Sequence, residues 1–158
     1  MNDGKDQPTF DERIANSLRD VTLSYYRFTA LASQEAGVGI SELMALGYLR
    51  DRGALRAGQL GERLGLTTGA MTALLDRLER VGYARRIPHP SDRRSILVEL
   101  TDAGRTEVGT LFELLASNVN RALKGATSGE QEAVARFLVE INTSFERRGE
   151  EAKPDNTT

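Results

Sequence analysis

Hydrophobic side chains recur at intervals of three and four residues over much of the chain, the spacing that lines one face of an α-helix. The first such run starts at Phe10 and predicts a helix of about six turns that ends at Gly37. A shorter second run predicts a helix with Ser41 as its N-cap and Gly53 at its end. The chain up to Gly53 is therefore predicted to form two helices.

Two short helical patterns between Arg56 and Val81 are separated by Gly65-Leu66-Thr67. A glycine allows the left-handed backbone that closes a tight turn, and a threonine can cap the amides of the helix that follows. This arrangement predicts a helix-turn-helix motif whose second helix, the recognition helix, runs from Thr67 to Val81.

Beyond this helix the hydrophobic period changes from about 3.6 residues to 2, which indicates a β-strand. Ile96, Val98 and Leu100 fall on one face of that strand, and residues Pro88 to Asp92 supply the preceding turn. A two-stranded hairpin, or wing, is predicted, with Ser91 to Arg94 at its tip.

Two further helices complete the prediction: Thr101 caps a long helix that ends at Gly125, and Thr127 or Ser128 starts the last one. The predicted fold class is mainly α with a small β-wing, a winged helix-turn-helix domain plus a helical dimerisation region. The predicted parts are a disordered N-terminus (1–9), a helical dimerisation region (10–36 and 102–147), a winged helix-turn-helix region (41–100) and a disordered tail (148–158).

The net charge of −2 conceals an uneven distribution. Residues 50–94 carry ten arginines and five acidic residues, a net charge of +5, whereas both flanking parts of the chain are acidic. Arginine suits phosphates and base edges because its planar guanidinium donates several hydrogen bonds at once. An arginine cluster can also be an ordinary solvated surface. Since this one coincides with the helix-turn-helix and the wing, binding to double-stranded DNA is the favoured interpretation.

Composition argues against several other functions. The chain has no cysteine, and His89 is its only histidine, so disulfides, thiolate chemistry, a metal site and a catalytic base all lack their usual residues. We therefore expect no cofactor and no enzymatic activity. No apolar run is long enough to span a bilayer, and the polar residues 1–8 do not resemble a secretion signal, so a cytoplasmic protein is expected.

The recognition helix turns small residues outward when Met71, Leu75 and Leu78 are placed on its buried face. Small side chains let its backbone approach the floor of the major groove, where Arg77 is the long donor. Arginine at the wing tip suits the narrow minor groove. The predicted DNA-binding residues are Thr67, Thr68, Gly69, Ala70, Thr72, Ala73 and Arg77 on the helix, and His89, Asp92, Arg93 and Arg94 on the wing.

Two acidic residues lie among these arginines and need a structural role, because an unpaired carboxylate would repel phosphate. Asp92 is expected to orient Arg94 or to hold the turn. Asp76, on the recognition helix, is expected to pair with an arginine of the wing.

The stretch from Gly53 to Gly104 resembles the core of the MarR family of bacterial transcriptional regulators. Two motifs carry the resemblance, Asp76-Arg77-Leu78-Glu79 in the recognition helix and Asp92-Arg93-Arg94 in the wing. The resemblance implies a homodimer whose first and last helices interlock, and a small-molecule cleft between those helices and the DNA-binding lobe. The chain departs from the family at Arg56, where a threonine or serine cap is common, and in the low polarity of its recognition helix.

The expected function is that of a sequence-specific regulator, a homodimeric repressor on a pseudo-palindromic operator, with a small organic effector or none. One-sided apolar stripes favour dimerisation over packing within one chain, through Phe10, Ile14, Leu18, Val134, Phe137, Leu138, Ile141 and Phe145. Tyr25, Tyr26 and Phe28 are candidates for an effector pocket, although core packing is the alternative. An enzyme is the main rival from another class, and a winged helix that docks on protein instead of DNA is the second. The salt dependence of binding separates docking on protein from binding to DNA.

Overall fold

The computed structural model describes residues 9–92 and 95–151, apart from the side chain of Glu150. The chain forms two compact units, one up to Glu113 and one from Leu114 onward. The elements of the first unit are α1 (Phe10–Glu35), α2 (Ile40–Arg52), β1 (Leu55–Arg56), α3 (Ala57–Leu64), α4 (Thr68–Arg80), β2 (Ala84–Pro88), β3 (Ile96–Leu100) and the first half of α5 (Asp102–Ala122). The predicted fold class, mainly helical with a small sheet, is confirmed.

The second unit contains the remainder of α5 and helix α6 (Ser128–Glu151). A capping box starts α6: the Glu130 N–H donates to Thr127 Oγ1 (3.3 Å), and the Thr127 N–H donates to the Glu130 carboxylate (2.7 Å). The Thr127 N–H and the Thr127 hydroxyl both donate to the Glu130 carboxylate, and these two hydrogen bonds lower the pKa of Glu130. The helix start predicted from the sequence is thereby confirmed.

The strands pair antiparallel in the order β1-β3-β2, with β3 in the middle. β2 and β3 pair along five residues each, from Ala84 opposite Leu100 to Pro88 opposite Ile96. β1 adds only a two-residue segment opposite β3. The sequence predicted two strands and missed this third one, because two residues are too few to show an alternating pattern.

The hydrophobic core of the first unit is formed by the inner faces of α2, α3 and α4, one side of the sheet and the start of α5. Burial of each large aliphatic side chain contributes about 1.5–3 kcal/mol. The core therefore fixes α4 firmly against the sheet. Its most completely buried large side chains are Leu46, Leu60, Leu74, Leu75, Leu78, Leu100, Val98 and Val108.

The structure corrects three predicted boundaries. Ser41 is not the N-cap of α2, because the helix already begins at Ile40 with Gly39 as its N-cap. Thr9, assigned to the N-terminal tail, is the N-cap of α1. α6 continues to Glu151, so residues 148–151 are helical rather than tail, consistent with the helix propensity of arginine and glutamate. Residues 1–8 and 152–158 lie outside the described part of the chain.

The first turn of α5 lies against the backbone that leads from α4 into the hairpin. Thr101 joins the two segments, because its N–H donates to the Tyr83 carbonyl (3.1 Å) and its hydroxyl to the Gly82 carbonyl (2.5 Å). Gly104 completes the contact: a Cβ atom at this position would overlap the Tyr83 carbonyl oxygen and lie 2.8 Å from the carbonyl carbon. Only glycine fits this close approach.

Apolar side chains remain exposed on α1 in the first unit and on α6 in the second. On α1, Phe10 and Ile14 are exposed and Leu18 is half-buried. On α6, the exposed members of the predicted stripe are Val134, Phe137, Leu138 and Phe145, whereas Ile141 is half-buried. Within the part of the chain that the structure describes, no helix is both long and apolar enough to cross a bilayer.

Candidate nucleic-acid interface

α4 presents a buried apolar face and an exposed face of small side chains. Its inner residues Met71, Leu74, Leu75 and Leu78 all lie in the core. The predicted outward positions, Gly69, Thr72, Ala73, Asp76, Arg77 and Arg80, are all exposed, and the first turns of this face, which also include Thr68 and Ala70, carry only small side chains. A helix face without bulky side chains can approach base edges closely in the major groove.

The N-terminus of α4 is fixed by its cap and by a tight turn from α3. The hydroxyl of Thr67 accepts a hydrogen bond from the Ala70 N–H (3.3 Å), so the predicted N-cap is confirmed. Gly65 ends α3 with a left-handed φ of 65°, also as predicted. The turn therefore presents the first exposed amides of α4, a favourable location for a phosphate group.

Arg56 occupies the N-cap position of α3, where its side chain cannot accept a hydrogen bond from the helix amides. Gln59 supplies half of a capping box instead, because its side-chain oxygen accepts the Arg56 N–H (3.1 Å). The Arg56 guanidinium is thereby available for another contact. It reaches the wing loop, with 3.7 Å between Arg56 Nη2 and Asp92 Oδ2.

Arg77, the predicted long donor of the recognition helix, pairs with a carboxylate from α2. Its Nε donates to Glu42 Oε1 (2.5 Å), and its Nη2 also lies against that oxygen. Glu42 is almost completely buried, whereas half of the Arg77 side chain is exposed. The guanidinium is therefore attached to the core at one edge and exposed at the other.

Arg86, on the first hairpin strand, binds two acidic residues of α4. Its Nη2 donates to Asp76 Oδ1 (2.8 Å), its Nη1 pairs with the Glu79 carboxylate, and its backbone N–H donates to Glu79 (2.9 Å). Partial burial alone would lower the pKa of Arg86, but its hydrogen bond to Asp76 and both carboxylate charges outweigh that effect and raise it. The expectation that Asp76 pairs with an arginine of the wing is confirmed.

We expect Arg86→Met to lower the free energy of unfolding by about 1–2 kcal/mol, because two carboxylates lose their shared partner. Arg85→Met is the matched control: the neighbouring arginine is itself exposed, pairs with the single half-buried carboxylate of Glu99, and should contribute less than about 1 kcal/mol. Urea denaturation of both variants at one protein concentration measures the difference. Equal losses in the two variants would contradict a special role for Arg86.

The described part of the wing loop is held by hydrogen bonds around Asp92 and Ser95. The Ser95 N–H donates to the Asp92 carbonyl (2.9 Å) and the Ser95 hydroxyl to the Asp92 carboxylate (2.5 Å). The His89 N–H donates to the Ser95 carbonyl (3.1 Å). Asp92 therefore holds the turn, one of its two predicted roles. The predicted wing-tip arginines, Arg93 and Arg94, lie outside the described residues, as does any role of Asp92 in orienting Arg94.

A cavity of about 180 Å³ lies in the first unit between α1, α2 and α5. Of the three aromatic residues predicted for an effector pocket, Tyr25 lines it, whereas Tyr26 is exposed to solvent and Phe28 is half-buried. The other lining residues are Thr29, Leu43, Met44, Gly47, Tyr48, Asp51, Leu111 and Phe112. This largely apolar lining with several aromatic rings suits a small organic molecule.

Three residues without a predicted role contact predicted residues of the site: Glu42, Arg56 and Arg86. The sequence pointed indirectly to Arg86, since Asp76 was expected to pair with an arginine of the wing. For Glu42 the sequence offered no such indication, because its partner is 35 residues away. Among residues 9–92 and 95–151, no three acidic or histidine side chains come together as a metal site.

Comparison with known proteins finds similar bacterial regulators. Residues 36–95 match the model of the MarR family. The HTH-type transcriptional regulator YcgE of Bacillus subtilis is 33% identical over 111 residues, which cover 70% of this chain and 72% of YcgE. The regulator YkoM of the same organism is 35% identical over 106 residues, 67% of this chain and 69% of YkoM.

Solved structures show the same fold. A mutant of MepR from a multidrug-resistant S. aureus clinical isolate superimposes with a TM-score of 0.72 at 18% sequence identity. That superposition covers 84% of this chain and 96% of the MepR chain. At such low identity the likeness concerns the fold alone.

Proposed function

The chain belongs to the MarR family of HTH-type transcriptional regulators, and from that premise we propose that it acts as a homodimeric repressor on a pseudo-palindromic operator in double-stranded DNA. One observation carries the proposal: α4 has a fully buried inner face and an outer face of small exposed residues. This is the surface that a recognition helix needs in the major groove.

In the proposed complex, each copy places α4 in a major groove, and the two helices lie about 34 Å apart on one side of the duplex. The amides at the start of α4, with Thr67 and Thr68, are proposed to contact a phosphate. Gly69, Ala70, Thr72 and Ala73 then face the bases. Since these side chains offer methyl and hydroxyl groups, sequence preference should rest on thymine methyls and DNA shape.

The wing is proposed to enter the adjacent minor groove. Arg93 and Arg94 are the proposed inserted and flanking side chains, and His89 a phosphate contact, because the narrow minor groove attracts arginine. Asp92 supports this arrangement through the turn that it holds with Ser95.

The exposed apolar faces of α1 and α6 are the proposed dimer surfaces. Contiguous apolar surface in water is unfavourable, and a second copy of the chain would bury it. Repression follows if the bound dimer blocks access of RNA polymerase. The α1/α2/α5 cavity is the proposed effector site, for a small aromatic molecule. Such a molecule releases DNA only if it favours a dimer geometry with the wrong spacing of the two α4 helices.

The test begins with selection of duplexes from a random DNA pool by the full chain, repeated in the presence of phenolic compounds. Thr72→Glu should then weaken binding to the selected duplex at least about tenfold, because it adds a negative charge to the face that meets DNA. Fluorescence anisotropy at fixed salt measures the affinity.

Thr106→Glu on α5 is a closely matched control. Both threonines are exposed, and each donates its hydroxyl to the carbonyl four residues earlier, Thr72 at 3.0 Å and Thr106 at 3.1 Å. The two variants therefore lose the same local bond and gain the same charge. Equal affinities in both variants, or no duplex selected by the unmodified protein, would refute the proposal.

A further inference from the structure

Glu42 is a carboxylate that the core has no evident need for. It lies in the first turn of α2 beside the buried Leu43 and Leu46, and only 4% of its surface is exposed. Moving a carboxylate out of water costs several kcal/mol, and a well-packed apolar side chain in such a place is often as stable or more so. The first turn of a helix favours an acidic residue by only about 0.3–1 kcal/mol, less than this cost, so stability alone does not account for a buried carboxylate here.

What the Glu42 carboxylate does provide is a fixed attachment for Arg77. Arginine has several rotatable bonds, and ordering it costs about 2 kcal/mol in side-chain entropy. Among the described residues, the hydrogen bonds of Arg77 go to Glu42, through Nε and Nη2. Because the carboxylate is held by the core, it fixes the guanidinium before any ligand arrives.

The exposed edge of Arg77 lies on the DNA-facing side of α4. Arg77 follows Ala73 by four residues and Ala70 by seven, so the three share one helix face. Half of its side chain is exposed, and the Nη1 donors point away from the attachment at Nε. Arg77 lies in the third turn of the helix, whereas the bases are contacted mainly from the first turns, so a backbone phosphate is its expected ligand.

We propose that Glu42 is a positioning residue for DNA binding: it holds the Arg77 guanidinium so that its exposed donors meet one backbone phosphate of the operator. This inference rests on the proposed function, since it requires α4 to lie in the major groove. It adds a residue from outside the helix-turn-helix to the DNA-binding apparatus.

The sign of one substitution separates positioning from simple electrostatics. Glu42→Gln removes a negative charge close to DNA, so a purely electrostatic role predicts equal or tighter binding. Positioning predicts the reverse: affinity for the selected duplex falls about five- to tenfold, while affinity for random duplex is unchanged or slightly higher. Anisotropy titrations at one salt concentration measure both affinities. Equal or tighter binding of the selected duplex would overturn the proposal.

A double-mutant cycle distinguishes positioning of Arg77 from a general effect on α2. In an Arg77→Gln background, Glu42→Gln should cause no further loss of affinity, because the group that it positions is gone. A loss that persists in this background contradicts the proposal. Glu99→Gln is the matched control, since Glu99 also binds an arginine, Arg85, through Nε and Nη2. It should not lower affinity.

A second variant keeps the test decisive if Glu42→Gln fails to fold. Arg77→Lys retains the positive charge at a half-exposed position but loses the two-point attachment. It should reproduce the roughly five- to tenfold loss on the selected duplex. Full affinity of Arg77→Lys would overturn the role of Glu42. Loss of binding by Thr72→Glu alongside full affinity of these variants would leave the proposed function standing and refute only the positioning role.

Discussion

Replacement of Gly104 by alanine should lower the free energy of unfolding by about 3 kcal/mol, because the added methyl group has no room. Its Cβ would overlap the Tyr83 carbonyl oxygen, a backbone atom that cannot turn aside. The start of α5 would have to move, which would strain the bonds from Thr101 to Tyr83 and Gly82. Since a whole domain is stable by only about 5–15 kcal/mol, this is a large fraction.

Gly109→Ala, five residues further along α5, is the matched control. A Cβ atom there meets nothing within 4 Å, so alanine should stabilise the helix by about 0.5–1 kcal/mol relative to glycine. The same substitution in the same helix is thus expected to act in opposite directions. Urea denaturation at one protein concentration measures both, because the stability of a dimer depends on concentration. Similar stability of the two variants would disprove the close approach at Gly104.

Val134→Lys should convert the proposed dimer to monomers over the micromolar range and abolish tight operator binding. Val134 belongs to the exposed apolar stripe of α6. Because the dimer is symmetric, each copy would bury one new ammonium group in the interface. Loss of about 1.5 kcal/mol per copy raises the dimer dissociation constant by at least about a hundredfold. Light scattering across a dilution series gives the mass directly.

Val139→Lys controls for the charge and for the helix itself. Val139 is the more exposed of the two valines, 66% against 44%, and five residues of α6 place it on a different face. Changes in helix stability cannot produce the expected difference between the variants. A lysine at position 134 would pair favourably with Glu130 four residues earlier, whereas a lysine at position 139 would lie near the like charge of Arg136. A monomer produced by both variants, or by the unmodified chain, would refute the proposed dimer surface.

Features that depend on neighbours in the chain could be predicted from the sequence. The Thr67 cap bonds to a residue three positions away, and Gly65 needs only its own φ angle to end α3. The same is true of the Thr127–Glu130 capping box. The predicted start of α2 was wrong although Ser41 is a good N-cap residue by itself. Gly39 is the N-cap instead, and a Cβ atom at Gly39 would collide with the Glu42 carboxylate.

Features that depend on distant residues were missed, since no local pattern reports them. Glu42 meets Arg77 across 35 residues, and an acidic residue in the first turn of a helix is ordinary in itself. Gly104 has a common helical environment in the sequence, yet its reason for being glycine is the Tyr83 carbonyl on another segment. The sequence predicted that an arginine of the wing pairs with Asp76, but not that it is Arg86. The strand register, which places Arg86 opposite Val98, decides which arginine reaches Asp76.

Gly69, near the start of the recognition helix, illustrates how such a protein can change its operator. A side chain added there would meet nothing within 4 Å, and the backbone does not require glycine. The core, the cap and the wing attachments all act on other positions of α4. New side chains can therefore be introduced at the exposed positions of its first turns without repacking the molecule. In the proposed binding mode, a change of a few exposed residues is therefore enough to direct the same architecture to new target genes.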